Sequence, residues 1–588
     1  MATDILFVNL PPYESYYAEN FMHLGMLYVM TNLRNHGYTV GYLDCARHGV
    51  RREQIMEKIR EAAPRLIGFS IDTDNLFSAG HLTHELKHEF GAELKIILGG
   101  PASQGQPDEI MERSAADVLV IGEGEYAACE VADCLLRGIG SLAAIEGICY
   151  RAGGKTVHTR PRTPIADLDA LPFPDYRFLS DAREYQPAVI TGRGCPFKCT
   201  FCFEGRMGNR YRHRSPENIV AEIERIIEAR GPSFICINDD TFTADPKHTL
   251  SVCRLMRERF RPWQDLCWFC EVRVDVVNRY PELIDALVEA GAARIQIGAE
   301  SADENVLRAY KRLNVKPATV EKVVELFYRA GLPSIYCGFI LGGPHETTET
   351  MERTLAFAKH LLLDVAPGAF ECSPSFLTPL PGTDIRARPE SFGLRLLDPD
   401  LLTSSNFNFC TTESETLSQE EINNFRWQFE QEIDQGIRSI IARMPWERLE
   451  QHALLHERFR CATQYQQRFA VFPRLAEYLR VVGGGKFERT ERLSDSEILC
   501  RYPTRLAAPV HMDVGKITVS FGPNVLTLNG MGSRIYALCA GKLATQEIID
   551  HLAEQYLDDA PPREMLAADV VQFIRHLDDN FAVFLKDF

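Results

Sequence analysis

AVITGRGCPFKCTFCFEG (188–205) joins a short apolar run to three cysteines on one loop. Cys195, Cys199 and Cys202 follow the spacing Cx3Cx2C at the end of what reads as a strand, with Gly194, Pro196 and Phe201 set around them. Three thiolates on a short loop can hold three irons of a cubane cluster and leave the fourth iron open to a ligand. Zinc is the competing reading, but a structural zinc normally takes a fourth protein ligand and a CxxC pair on each side. The chain has 17 cysteines. Most of the others stand singly inside apolar segments and read as small buried hydrophobes.

Working outward from this loop, Ser215 and Pro216 give a helix start. Further strands follow in FICIND (234–239), CWFCEVRVD (267–275), RIQIGAES (294–301), SIYCGFILGG (334–343) and AFECSPSF (369–376). Amphipathic helices separate them, so about six βα units are expected, a partial barrel rather than a closed eight-unit one. Upstream, DILFVNL (4–10), TVGYLD (39–44), RLIGFSID (65–72), LKIILGG (94–100) and DVLVIGEGE (117–125) alternate with helical stretches. Near-continuous apolar strands of this length imply a parallel sheet covered on both faces. Ligands of such sheets sit beyond the carboxyl ends of the strands. Those ends carry PPYES (11–15), SIDTDN (70–75), GGPAS (99–103) and GEGE (122–125), none of them a GxGxxG or a P-loop. The expected organisation is a Rossmann-like domain (1–150), a proline-rich linker (151–185), the partial barrel (186–400), a helical region (401–500) and a small terminal unit (501–588). In the last, two alternating strands flank Gly522-Pro523-Asn524, a hairpin signal, before three helical stretches.

The barrel-like domain resembles the radical S-adenosylmethionine enzymes, through its cysteine loop and through FICINDDTF (234–242) and GAARIQIGAESADENVL (291–307). The resemblance implies a [4Fe-4S] cluster on Cys195, Cys199 and Cys202 whose open iron chelates S-adenosylmethionine. One electron then releases methionine and a 5′-deoxyadenosyl radical that abstracts hydrogen from substrate. It places Phe201 near adenine, Asp239 and Asp240 near the methionine amino group, and Gly298, Glu300 and Ser301 near the ribose or amino acid. Arg273 is a candidate for the methionine carboxylate, or for an ordinary salt bridge. An external electron donor such as flavodoxin or ferredoxin is implied as well.

A doubly wound domain ahead of such a barrel is similar to the cobalamin-dependent subclass. The resemblance then implies a corrinoid lined by Ser70, Asp72, Thr73, Gly99, Gly100, Gly122 and Glu123. Many cobalamin proteins bind cobalt through the His of DxHxxG; here LDCARHG (43–49) spaces Asp44 and His48 four apart, so the motif fails. The resemblance to the subclass, which often lacks that His, implies no histidine ligand and cobalt left open on its lower face.

The tail LNGMGSRIYALCAGKLATQEIIDHLAEQY (528–556) resembles small winged-helix domains that recognise leader peptides. By that logic an extended leader pairs with the strand edge Asn524–Leu528 and lies against the helix Met565–His576. A winged helix for dimerisation or DNA is the alternative, and Asp578-Asp579 makes DNA the poorer of these two.

The net charge of −17 speaks against nucleic acid as a partner. No run of about 18 apolar residues exists, and the start MATDILFVNLPP lacks the form of a signal peptide, so no membrane partner and a cytoplasmic location are expected. The combined expectation is a cobalamin-dependent radical methyltransferase that carries methyl from methylcobalamin to an unactivated carbon of a precursor peptide. Two rivals stand beside it: cyclisation or rearrangement without methyl transfer, and a leader-binding escort whose cluster is only structural.

Overall fold

A computed structural model describes the chain except residues 1–2, 11–22, 49, 51, 74, 180–184, 205–209, 232, 312–314, 398–409, 445, 462, 469–492, 506–508, 514–515, 522–523, 541, 556–560, 581 and 587–588. The chain divides into two compact units, residues 1–358 with 372–431, and residues 359–371 with 432–588.

The first unit opens with strands β1 (Ile5–Asn9), β2 (Val40–Asp44), β3 (Leu66–Ser70), β4 (Lys95–Gly99) and β5 (Val118–Val120), in the spatial order 2-1-3-4-5. The pairs among them are parallel. Alternate side chains of one strand enter different cores. Leu6 and Val8 join Phe69 and Leu98 on one face, while Ile5 and Phe7 join Met30 and Val118 on the other. Both faces are therefore dry, which is why these strands read as unbroken apolar runs.

The sheet does not stop near 150. β6 (Ile148–Ala152) adds antiparallel to β5, and β7 (Lys155–His158) adds antiparallel to β6. Between them Gly153 and Gly154 take φ of 55° and 78°, the left-handed pair that a two-residue hairpin turn demands. The first residues of the expected linker (151–185) are thus part of the sheet.

The barrel-like part contributes β8 (Ala188–Val189), then the small antiparallel pair β9 (Gly192–Arg193) and β10 (Arg212–His213), then β11 (Ser233–Ile237), β12 (Leu266–Val272), β13 (Ala292–Glu300), β14 (Ser334–Leu341) and β15 (Phe370–Phe376). β8 and β11–β15 form one open six-stranded sheet in chain order, the expected partial barrel. Ser215 caps the helix Pro216–Arg230, its side chain accepting from Asn218 N–H. A short antiparallel pair, β16 (Leu394–Leu396) and β17 (Thr412–Ser414), follows.

The second unit holds the helices Trp446–Glu457 and Gln464–Arg468, then a terminal assembly with its own core. β18 (Tyr502–Arg505) pairs with β22 (Val583–Lys586), and β19 (Pro509–Asp513), β20 (Lys516–Phe521) and β21 (Asn524–Leu528) form an antiparallel meander. Helices Gly530–Leu538, Thr545–Gln555 and Arg563–Asp579 complete it. Leu493 and Ile498 belong to this core, so it begins ahead of residue 501. Among the described residues no helix is long and apolar enough to cross a membrane.

Candidate functional site

The cysteine loop leaves β9 through Gly194 (φ 81°) and is pinned at both ends. Ahead of it, Asp239 Oδ1 accepts from Thr191 N–H at 2.6 Å and from Gly192 N–H at 3.1 Å, and its Oδ2 accepts from the Thr191 hydroxyl. Burial still lifts this carboxyl to about 6, because removal from water outweighs the three donors. Asp240 accepts from Gly194 N–H. Gly192 is tightly placed: a Cβ there would stand 3.0 Å from both Arg212 O and the Tyr211 ring, so the β9–β10 pair would have to give by a few tenths of an ångström. Behind the loop, Thr200 N–H donates to Tyr310 O at 2.8 Å and its hydroxyl to Ala309 O at 2.8 Å.

On this loop Cys199 is buried and Cys195 and Cys202 are half-buried. Burial pushes the Cys195 thiol up to about 11, so it is protonated until a metal's charge displaces the proton. Arg273 Nη1 lies 3.6 Å from Cys199 Sγ, and Arg273 Nη2 is buried without a hydrogen-bond partner. Among the described residues no three His, Cys, Asp or Glu side chains converge as ligands of a single ion do. A cubane asks instead for one thiolate on each of three irons. The donor set fits such a cluster: three thiols on one braced loop, a cation against one of them, and an unsatisfied donor beside it.

A cavity of about 740 Å³ opens beside this loop. Its wall joins the carboxyl ends of β3, β4 and β5 (Ser70, Gly99, Gly100, Gly122, Glu123) to the start of the cysteine loop (Gly192, Arg193, Gly194) and to Asp240. Gly100 (φ 102°) could carry no side chain, since a Cβ would stand 2.6 Å from Ile71 N and Ser70 Oγ. Gly25 and Gly122, by contrast, leave open space where a side chain would stand. A large flat ligand can therefore approach backbone directly, which is what a corrinoid requires of this wall.

The expected residues do not all meet. Asp72 and Thr73 are not part of the cavity wall. Asp72 instead closes a reciprocal turn with Asn75, accepting from Asn75 N–H at 2.9 Å and donating its own N–H to Asn75 Oδ1 at 3.1 Å. Glu123 lines the cavity, but its carboxylate is taken. Arg212 reaches it at 2.9 Å, Arg193 at 3.1 Å and Ile165 N–H at 2.6 Å, and these partners hold its pKa below the usual carboxylate range against burial. Arg193 also donates to Glu125 at 2.5 Å. Phe201 stacks edge-on against Tyr310 at 5.2 Å, packed on a small core with Leu377 and Ile385.

Gly298, Glu300 and Ser301 sit at the irregular end of β13 and outside the cavity wall. Glu300 takes a φ of 53° and stands 2.7 Å from Lys311 Nζ, both nearly buried, while Lys311 also donates to Gly298 O at 2.6 Å. Ser301 is fully buried and exchanges a 3.2 Å hydrogen bond with Thr354. Asp239, similarly, spends both oxygens on the segment ahead of the cysteines, so Asp240 is the member of the acidic pair that faces the cavity. The loop PPYES (11–15) and the His48 side chain lie outside the described residues.

Wall residues not singled out from the sequence include Glu204, His158, His23 and Arg193. Glu204, two positions past Cys202, faces the cavity with its carboxyl lifted to about 7 by burial and by Asp240. His158 has both ring nitrogens engaged, with Cys149 Sγ at 3.0 Å and Asp108 at 2.6 Å. His23 caps the helix Leu24–Asn35, its Nδ1 accepting from Met26 N–H at 3.4 Å. Arg193, immediately before the cysteines, carried a usable signal: a cation next to a proposed cluster needs a counter-charge, and GEGE supplies two.

Three family models match the chain: the radical SAM superfamily over residues 189–358, the B12 binding domain over 17–132, and coenzyme PQQ synthesis protein D (PqqD) over 510–582. An uncharacterised methyltransferase of Pyrococcus horikoshii is 28% identical over 369 residues, covering 61% of this chain and 76% of that one. An anaerobic magnesium-protoporphyrin IX monomethyl ester cyclase of Rubrivivax gelatinosus is 28% identical over 401 residues, 65% of this chain and 69% of that one. The fold is that of the cobalamin-dependent S-adenosylmethionine radical enzyme OxsB, solved with aqua-cobalamin and S-adenosylmethionine bound. The TM-score is 0.61 at 15% identity, over 98% of this chain and 80% of that one.

Proposed function

We propose that this chain, a radical S-adenosylmethionine enzyme working with a [4Fe-4S] cluster, S-adenosylmethionine and cobalamin, methylates an unactivated carbon of a precursor peptide. The observation that carries the reading is the cavity wall. One surface is built from the strand ends of the B12-binding domain and from the residues that open the cysteine loop. A methyl donor in that cavity stands next to the place where hydrogen is removed, so a substrate carbon held between them meets both.

When bound, the cluster supplies the electron that cleaves S-adenosylmethionine, and methylcobalamin supplies the methyl group. The protein's share is positioning and exclusion of water. Cys195, Cys199 and Cys202 would hold the cluster, and Asp239 and Asp240 fix the approach of their loop. Asp240 is the carboxylate available to an ammonium in the cavity, and Gly99, Gly100 and Gly122 leave backbone bare for the corrinoid.

The peptide substrate is supported by the PqqD-like tail. β21 is an edge strand of its three-stranded sheet, and the helix Arg563–Asp579, which packs on β22 in the same core, leaves Met565 58% exposed. A sheet edge is what strand addition of a leader uses for its main-chain hydrogen bonds. Ring formation without methyl transfer is the second reading, favoured by the cyclase relative.

Product mass separates the two. The reconstituted enzyme, given reductant, hydroxocobalamin, methyl-labelled S-adenosylmethionine and a candidate precursor peptide, is expected to add one CH₂ unit that carries the label, since S-adenosylmethionine is then the sole source of methyl for the reduced cobalamin. A product lighter by hydrogens, with no label, would replace methylation by ring closure.

A further inference from the structure

Arg273 follows the last residue of β12 and serves as the N-cap of the short helix Val274–Arg279. Its guanidinium is held from two sides. Nε donates to Asp275 Oδ1 at 2.9 Å, and the plane lies over the Phe197 ring with 3.7 Å to the centroid. Its side chain is 12% exposed. From that seat Nη1 reaches Cys199 Sγ at 3.6 Å, within hydrogen-bonding distance for sulfur. A guanidinium is always charged and offers its donors in a rigid fork. Phe197 and Cys199 lie on the same loop, so the loop that presents the sulfur also carries the ring that seats the cation.

We propose that Arg273 sets the reduction potential of the cluster by donating an N–H to the sulfur of Cys199. This rests on the reading that Cys195, Cys199 and Cys202 are the cluster's ligands. The step concerned is the gain of one electron by the [4Fe-4S] cluster, from the 2+ to the 1+ state, supplied by a low-potential one-electron donor; no proton moves and no bond forms or breaks. The added negative charge is shared with the thiolate sulfurs. A fixed cation donating to one of them therefore favours the reduced state and raises the potential. Nη2, buried without a partner, stays free for a second acceptor such as a carboxylate.

The test is a midpoint measurement on the reconstituted full-length protein, by electron paramagnetic resonance during titration with dithionite, in the absence of S-adenosylmethionine. Arg273→Gln is expected to lower the midpoint by about 59 mV, a tenfold change in a one-electron equilibrium. Arg273→Lys, which keeps the charge but not the fork or the stacking, is expected to shift it less. An unchanged midpoint in Arg273→Gln at wild-type iron and sulfide content overturns the proposal. So does a shift that develops only after S-adenosylmethionine is added, since Arg273 would then act through the bound substrate. If Arg273→Gln fails to retain iron, Arg273→Lys and Phe197→Leu decide: a lowered midpoint in either supports the proposal, and wild-type midpoints in both overturn it. The underlying reading fails separately. The triple change Cys195→Ala, Cys199→Ala, Cys202→Ala is expected to abolish bound iron and deoxyadenosine release, and a cubane retained by that variant removes the premise whatever Arg273 does.

Discussion

A histidine can ligate a metal only through a nitrogen that carries no proton, and this settles what the cavity histidines can do. Nδ1 of His23 accepts a backbone N–H, so its proton sits on Nε2 and that atom can only donate into the cavity. Burial keeps the ring neutral, holding its pKa below the ordinary imidazole value. His158 has no nitrogen left over. Cob(II)alamin bound to protein grown with ¹⁵N-histidine is therefore expected to give the same electron paramagnetic resonance spectrum as unlabelled protein. A nitrogen splitting that changes with the label would identify a histidine ligand and contradict this assignment. At this scale the sequence is an uneven guide. Cys195, Cys199 and Cys202 are legible because their chemistry and spacing lie within one loop. Asp239 is legible as a carboxylate at a strand end, but its acceptors are filled by Thr191 and Gly192, 48 and 47 positions away. No local pattern announces such a partner, and the same holds for Glu300 with Lys311.

Elements were easier to read than their ends. The six barrel strands fall on the apolar runs quoted for them, from the two residues of β8 to the nine of β13, and from β12 onward fully buried residues alternate with half-buried ones over much of each strand. The β6–β7 hairpin escaped although Gly153-Gly154 stands between ICYRA and KTVH, since a proline-rich stretch just beyond invited the reading of a linker. The turn after β14 shows what an element end can cost. Glu346 is fully buried there, accepts from Gly343 N–H at 2.8 Å, and leaves its other oxygen unpartnered beside the equally orphaned hydroxyl of Tyr310. Burial lifts its carboxyl from 4.5 to about 7. The folded state thus binds this proton more tightly than the unfolded chain does. Stability from this group is complete below about 4.5, falls as pH rises toward 7 and is level above that; the difference is up to ~3 kcal/mol. Glu346→Gln keeps an acceptor for Gly343 and removes the titration. Denaturant unfolding of the metal-free protein is expected to show a stability loss between pH 5 and pH 8 that is smaller in this variant by that order. Parallel pH profiles for the two proteins would show that Glu346 is already charged.

For the whole molecule, the separable part is the tail. Among the described residues its core draws on Leu493 to Leu585 and on no other segment. Deleting 493–588 removes that unit without cutting through its core, whereas a cut at 501 would strand Leu493 and Ile498. Slow, uncoupled cleavage of S-adenosylmethionine is expected to survive the deletion, since the cysteine loop lies in the other compact unit. Modification of a precursor peptide at limiting concentration is expected to fall by roughly a hundredfold, as a tethered second contact is lost. Equal modification by the full and shortened enzymes would show that the tail does not select substrate.

The ion network of Glu123, Glu125, Arg193 and Arg212 bears on how such a protein can change over generations. Two carboxylates from the end of one sheet answer two guanidiniums flanking the cysteine loop of another, at 16% exposure or so for Arg193. Exchange of the first 158 residues for a segment without carboxylates at 123 and 125 would leave two largely buried guanidiniums with no mate, at a cost of several kcal/mol. Drift at any one of the four positions is expected to be answered at another. Shuffled hybrids between cousins should accordingly fold only when both donors match at these positions, which makes this quartet the seam along which the two halves are inherited together.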